Sequence, residues 1–156
     1  MTATPREEKG LAKHAWIILV VVGFVGLVTS LAVLIIGTPI DAPGVKNLTG
    51  MSWDQLVASS PGAAKLVVYF VRQFAVAALS LAIVLIAVAA VPYQKGERWA
   101  WYVSAATLIA LVGYIALNLD AGGSLWPTFT GLLIVSILGL VLPIRKFFPK
   151  AQVAPK

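Results

Sequence analysis

Apolar residues fill four long stretches of this chain, residues 15–37, 66–91, 99–119 and 126–142, with short polar breaks between them. A helix rises 1.5 Å per residue, so roughly 20 apolar residues cross the ~30 Å hydrocarbon core of a bilayer. The pattern predicts an all-α protein, a four-transmembrane-helix bundle with spans at about 15–37, 62–91, 99–119 and 126–143. One membrane domain, residues 15–144, is then flanked by tails at 1–14 and 145–156.

The polar breaks carry the local signals. The connection 38–61 is the longest and the only one that can hold structure of its own. Asp41-Ala42-Pro43-Gly44 reads as a turn. Ser52 with Gln55 three positions on is a capping box, and Met51 and Leu56 take the positions of a hydrophobic staple around it. Trp53, Leu56 and Val57 then share one face, which predicts a short interfacial helix over 53–59 on the outer membrane surface. Ser60-Pro61 reads as an N-cap followed by proline at the first helical position, so the second span starts there and runs until Pro92. Residues 93–98 form a tight turn that makes the second and third spans antiparallel neighbours. Small residues mark packing faces: Gly23, Gly26 and Ser30 in the first span, Gly113 in the third, Gly131 and Gly139 in the fourth. Trp16, Trp53, Trp99, Trp101 and Trp126 stand at span ends, the level at which aromatic rings collect.

Composition agrees, with 60% hydrophobic and 12% charged residues and a mean hydropathy of +0.92. Soluble domains carry about 25% charged residues. The net charge of +6 changes the picture only once it is placed along the chain. Nine of the twelve cations (Arg6, Lys9, Lys13, Lys95, Arg98, Arg145, Lys146, Lys150, Lys156) fall on one side if the spans alternate. Lys46, Lys65 and Arg72 fall on the other, with Asp41, Asp54 and Asp120. The positive-inside rule then places both termini in the cytoplasm. Basic flanks of this kind serve topology and contact anionic headgroups, so the lipid bilayer is the expected partner and nucleic acid is not. The first apolar run exceeds the 7–15 residues of a signal-peptide core, and residues 38–41 make a poor cleavage site, so the segment is expected to stay.

Candidate chemistry is sparse. With no cysteine there are no disulfides, thiolate sites or cysteine nucleophiles. The single histidine, His14, lies at the membrane boundary and cannot by itself supply two axial haem ligands or a two-histidine metal site. None of the six acids lies inside a span, where proton-coupled transport places carboxylates. Serine and threonine have no base beside them, and no nucleotide or zinc-protease motif occurs. The chain is therefore expected to have no catalytic, cofactor-binding or metal residues and not to be an enzyme. Two polar residues remain within a span. Arg72 either snorkels to the outer headgroups or forms an intramembrane polar pair with Asp120. Gln73 joins such a network or bonds a neighbouring helix. Asn118 reads as a loop cap, and the sequon Asn47-Leu48-Thr49 as incidental.

Gly96-Glu97-Arg98-Trp99-Ala100-Trp101-Tyr102 resembles a turn found in small four-helix integral membrane proteins of bacteria and archaea. The stretch Leu48-Thr49-Gly50-Met51-Ser52-Trp53, followed by a Ser/Pro start to the second helix, is similar to their outer loop. The resemblance implies a multi-pass protein of a prokaryotic cell (inner) membrane and carries no activity with it. The function expected is that of a non-catalytic accessory or structural subunit, with other membrane subunits or copies of itself as partners. The alternatives are a small oligomeric transporter or channel, and a binding module for lipid or another hydrophobic ligand.

Overall fold

A computed structural model describes residues 13–39 and 41–149. Among the described residues every regular element is helical: α1 (Ala15–Ile36), α2 (Ala42–Thr49), α3 (Trp53–Ser59), α4 (Pro61–Val88), a π-helical turn (Ala89–Tyr93), α5 (Arg98–Asp120), α6 (Trp126–Val141) and α7 (Ile144–Phe147). Three helices, Ala15–Ile36, Pro61–Tyr93 and Arg98–Asp120, are long and apolar enough to cross a membrane; Trp126–Val141 is equally apolar in character but shorter. Arg6, Lys9, Lys150 and Lys156, with most of the two expected tails, lie outside the described residues.

Small residues decide how the long helices meet. α1 lies chiefly along α4 and α5 along α6, with α1 against α6 joining the two pairs. At Gly23 the backbones come so close that a Cβ would stand 2.7 Å from Ile86 Cγ1 and 3.3 Å from the Ala82 carbonyl. α4 and its π turn answer with buried alanines at every seventh position, Ala75, Ala82 and Ala89. Gly139 does for α6 what Gly23 does for α1, leaving room for Leu19 and Ile18. The chain neighbours α4 and α5 share less surface than either principal pair.

The second long helix ends differently from the expected stop at Pro92. Proline has no N–H and would break an α-helical ladder. Here the helix widens into a π turn, and the Pro92 carbonyl accepts from the Glu97 N–H at 3.0 Å, five residues on. The turn proper shrinks to Gly96 and Glu97, with Gly96 in the left-handed region at φ 83. Tyr93 is thereby turned inward, 2% exposed, and its hydroxyl donates to the Gly139 carbonyl at 2.7 Å.

The segment after α6 belongs to the bundle at least as far as Phe148, which corrects the expectation of a tail from residue 145. Phe147 is buried and its ring lies 4.6 Å from that of Tyr93. Arg98 Nε donates to the Phe147 carbonyl at 3.0 Å, Lys146 Nζ to the Gln94 carbonyl at 2.7 Å, and Trp101 Nε1 to the Leu140 carbonyl at 3.1 Å. Helix ends leave carbonyls without intrahelical donors; Arg98 and Trp101 supply two of them from the turn side, and Lys146 returns one to the turn. Gly96, Arg98, Trp101 and Tyr102 of the Gly96–Tyr102 stretch thus work as a staple for the chain's last helices.

Candidate functional site

At the opposite end, two loops far apart in sequence are tied by one carboxylate. Asp41, expected in a turn, is the N-cap of α2, with Pro43 early in the helix and Gly50 closing it at φ 73. Its Oδ1 accepts from Ser124 N at 3.0 Å, Ser124 Oγ at 3.2 Å and Gly44 N at 3.4 Å. Its Oδ2 accepts from Asn118 Nδ2 at 2.9 Å. Asn118 passes the tie on, its Oδ1 accepting from Leu125 N at 2.9 Å, and Asn47 Nδ2 donates to the Gly122 carbonyl at 2.8 Å. Gly122 and Gly123 make room. A Cβ on Gly122, itself at φ 60, would collide with the Asn47 carboxamide, and one on Gly123 with the Asp41 carboxylate.

Burial raises the Asp41 pKa, but the hydrogen bonds from Ser124, Gly44 and Asn118 outweigh it and hold the group below its ordinary 3.8. A depressed folded value means that this contribution is complete above the unfolded pKa and is lost as pH falls through the folded one. The melting temperature in detergent should therefore drop below about pH 3.8, and more in the wild type than in Asp41→Asn. Equal drops in both proteins would remove Asp41 as the cause.

The second feature lies on α4. With its π turn this helix has 33 residues against 22 in α1, an excess of 11, or about 16 Å. Arg72 marks the step. Its guanidinium lies over Gly37, the left-handed C-cap that ends α1 at φ 69. The cation thus rests at the helix end whose dipole favours positive charge. From Arg72 back to Pro61, α4 overhangs the end of α1.

α3 folds back along this overhang, joined through Ser60-Pro61. Its capping box forms as expected, Ser52 N donating to Gln55 Oε1 at 2.9 Å and Gln55 N to Ser52 Oγ at 3.3 Å. Leu56 is its buried residue, and Ala64 of α4 is buried as well. Between the two helices runs an open groove of about 620 Å³ whose lining includes Val57, Val68 and Val76, with Trp53, Tyr69, Lys65 and Arg72 on its walls.

The expected pair of Arg72 with Asp120 is not made. Neither side chain has a hydrogen bond or ion pair: the Arg72 guanidinium lies over Gly37 at the end of α1, while Asp120 ends α5, with which α4 shares little surface. Gln73 also stays on its own helix, donating to the Tyr69 hydroxyl one turn earlier. No protein-family model, curated protein or solved structure matches this chain.

The remaining candidate positions divide. Gly23, Ser30 and Gly139 are buried and Gly26 faces Ala82 at ordinary contact distance. Gly113 and Gly131 meet nothing within 4 Å, so they are not packing sites within this chain. Trp16 and Trp101 pack against the core, whereas Trp99 and Trp126 are exposed. Among the described residues no group of three or more His, Cys, Asp or Glu gathers as a metal site. Ser104 Oγ is the one buried side-chain polar atom there without a partner.

Proposed function

We propose that the chain is a four-span integral membrane protein of a prokaryotic cell membrane, serving as a non-catalytic subunit that packs against other membrane helices. The observation that carries this reading is the face α5 leaves uncovered. Only 11% of its apolar stretch is buried, with Ile109 75% and Leu117 69% exposed, and Gly113 opens onto empty space beside them. Bare glycine on a membrane helix lets a second backbone approach closely, and Gly131 offers α6 the same opportunity. In this reading α6 completes its crossing through Leu142-Pro143 into α7, and the end carrying the basic turn and both termini faces the cytoplasm. The short α3 then lies at the outer surface, beside the overhang of α4.

Cysteines introduced at Gln94 and Leu48 should be labelled from opposite sides of the membrane. Gly113→Leu combined with Gly131→Leu should not lower the melting temperature of the isolated chain, yet should reduce the mass of the native detergent particle. A wild-type particle containing a single 16.5 kDa chain and nothing else would refute the subunit reading. A second reading, binding of a lipid, is favoured by the groove beside α3.

A further inference from the structure

The groove between α3 and α4 carries a charge pattern that matches one kind of occupant. Lys65 and Arg72 are seven residues apart on α4, two turns or about 10 Å, so they share one face. Neither makes a hydrogen bond or ion pair, and no acid lines the groove. The Arg72 guanidinium lies over the bare backbone of Gly37, where any side chain would collide with it. Between the cations the groove is lined by Val68 and Tyr69 and beyond Arg72 by Val76 and Gln73, whose amide is taken up by the Tyr69 hydroxyl, with Trp53 on the facing helix. Such rings sit where acyl chains give way to headgroups. Because Gly37 ends α1, the guanidinium lies at the level where an apolar crossing stops.

We infer that this groove binds one anionic phospholipid, its phosphate held by Arg72 with Lys65 closing from above, and an acyl chain running down α4 past Val76. Arginine offers a planar fork of donors to phosphate oxygens, while lysine adds a point charge on an adaptable stem. A zwitterionic lipid fills the same groove but brings its own cation towards Lys65, so the site selects for net negative charge. The assignment rests on the membrane residence proposed above. That premise fails separately, in a chain released from membranes by an alkaline wash without detergent.

The test is native mass spectrometry of the intact chain released from micelles doped with phosphatidylglycerol or phosphatidylcholine. One phosphatidylglycerol should stay bound in preference to phosphatidylcholine. Lys65→Gln should weaken that preference about fivefold, and Lys65→Gln with Arg72→Gln should abolish it, in line with roughly 1 kcal/mol per basic residue at a lipid surface. Lys46→Gln, at the same end but outside the groove, should change nothing. Lys65 is exposed and without a partner, so its single variant carries the test even if loss of Arg72 loosens the fold. Equal retention of the two lipids by the wild type would overturn the assignment. So would an equal loss in Lys46→Gln, or displacement of the lipid by millimolar inorganic phosphate, which would point to a free anion instead.

Discussion

Gly123→Ala should release the loop before α2 from the loop before α6. The new methyl group would fall inside the Asp41 carboxylate and within 3 Å of both Asn118 amide atoms, at 2.8 Å from Oδ1 and 2.9 Å from Nδ2. The loops cannot both stay, because Asp41 is bound to Ser124 on one side of Gly123 and to Asn118 on the other. What is lost is a set of hydrogen bonds to an ionised acceptor, each worth about 1.5–3 kcal/mol in isolation and less when they fail together. We expect a cost of about 2–4 kcal/mol. Amide exchange should quicken across α2 and residues 118–125, with little change at the basic turn. Gly62→Ala, where a methyl meets nothing within 4 Å, is the matched control. Wild-type exchange in Gly123→Ala would mean that the clasp does not hold these loops.

Two substitutions three residues apart on α1 should have opposite signs. Gly23→Leu drives a side chain into Ile86 and towards the Ala82 carbonyl, and backbone cannot step aside as a side chain can. Overpacking of a tight contact costs about 1–3 kcal/mol, and the upper end is expected because α1 and α4 form one of the two principal helix pairs. Gly26→Ala adds a methyl 3.5 Å from the Ala82 Cβ, an ordinary van der Waals distance. It also removes a mid-helix glycine, a gain of about 1 kcal/mol. Thermal unfolding in one detergent should show Gly23→Leu falling and Gly26→Ala rising relative to wild type. A fall of similar size in both would mean that the stripe packs more closely throughout than the Gly26 geometry allows.

The long helices were legible in the sequence because hydropathy acts over twenty residues and tolerates local error. Their predicted ends fell within a few residues of the observed ones, and the capping box at Ser52 was read correctly because its two partners lie three positions apart. What escaped was non-local or locally ambiguous. Asp41-Ala42-Pro43-Gly44 carries a helix start, an acidic cap followed by early proline, but Pro-Gly reads equally well as a turn. The role of Asp41 depends on Ser124, 83 residues away, and no periodicity connects them. Pro92 marks Tyr93 for a surface turn, since proline normally stops a helix; only the π turn carries it into the core. Chain connectivity points Arg72 towards α5 and Asp120, whereas buried alanines at 75, 82 and 89 run along its helix and Ala82 meets α1 at Gly23 and Gly26. That heptad spacing was the available signal, and it is easily lost in a helix where nearly every residue is apolar.

The Asp41 clasp also imposes an order on the birth of the protein. A ribosome makes Asp41 83 residues before Ser124, a delay on the order of 4–17 s at about 5–20 residues per second. Later in that interval, once residue 88 has been made, α1 and α4 can already associate through Gly23 and the Ala75–Ala82 face, since both are then complete. The carboxylate stays without Asn118 and Ser124 until the last long helix begins to emerge. The first helix pair is thus assembled early and sealed late, and the seal reports that α5 and the start of α6 have arrived.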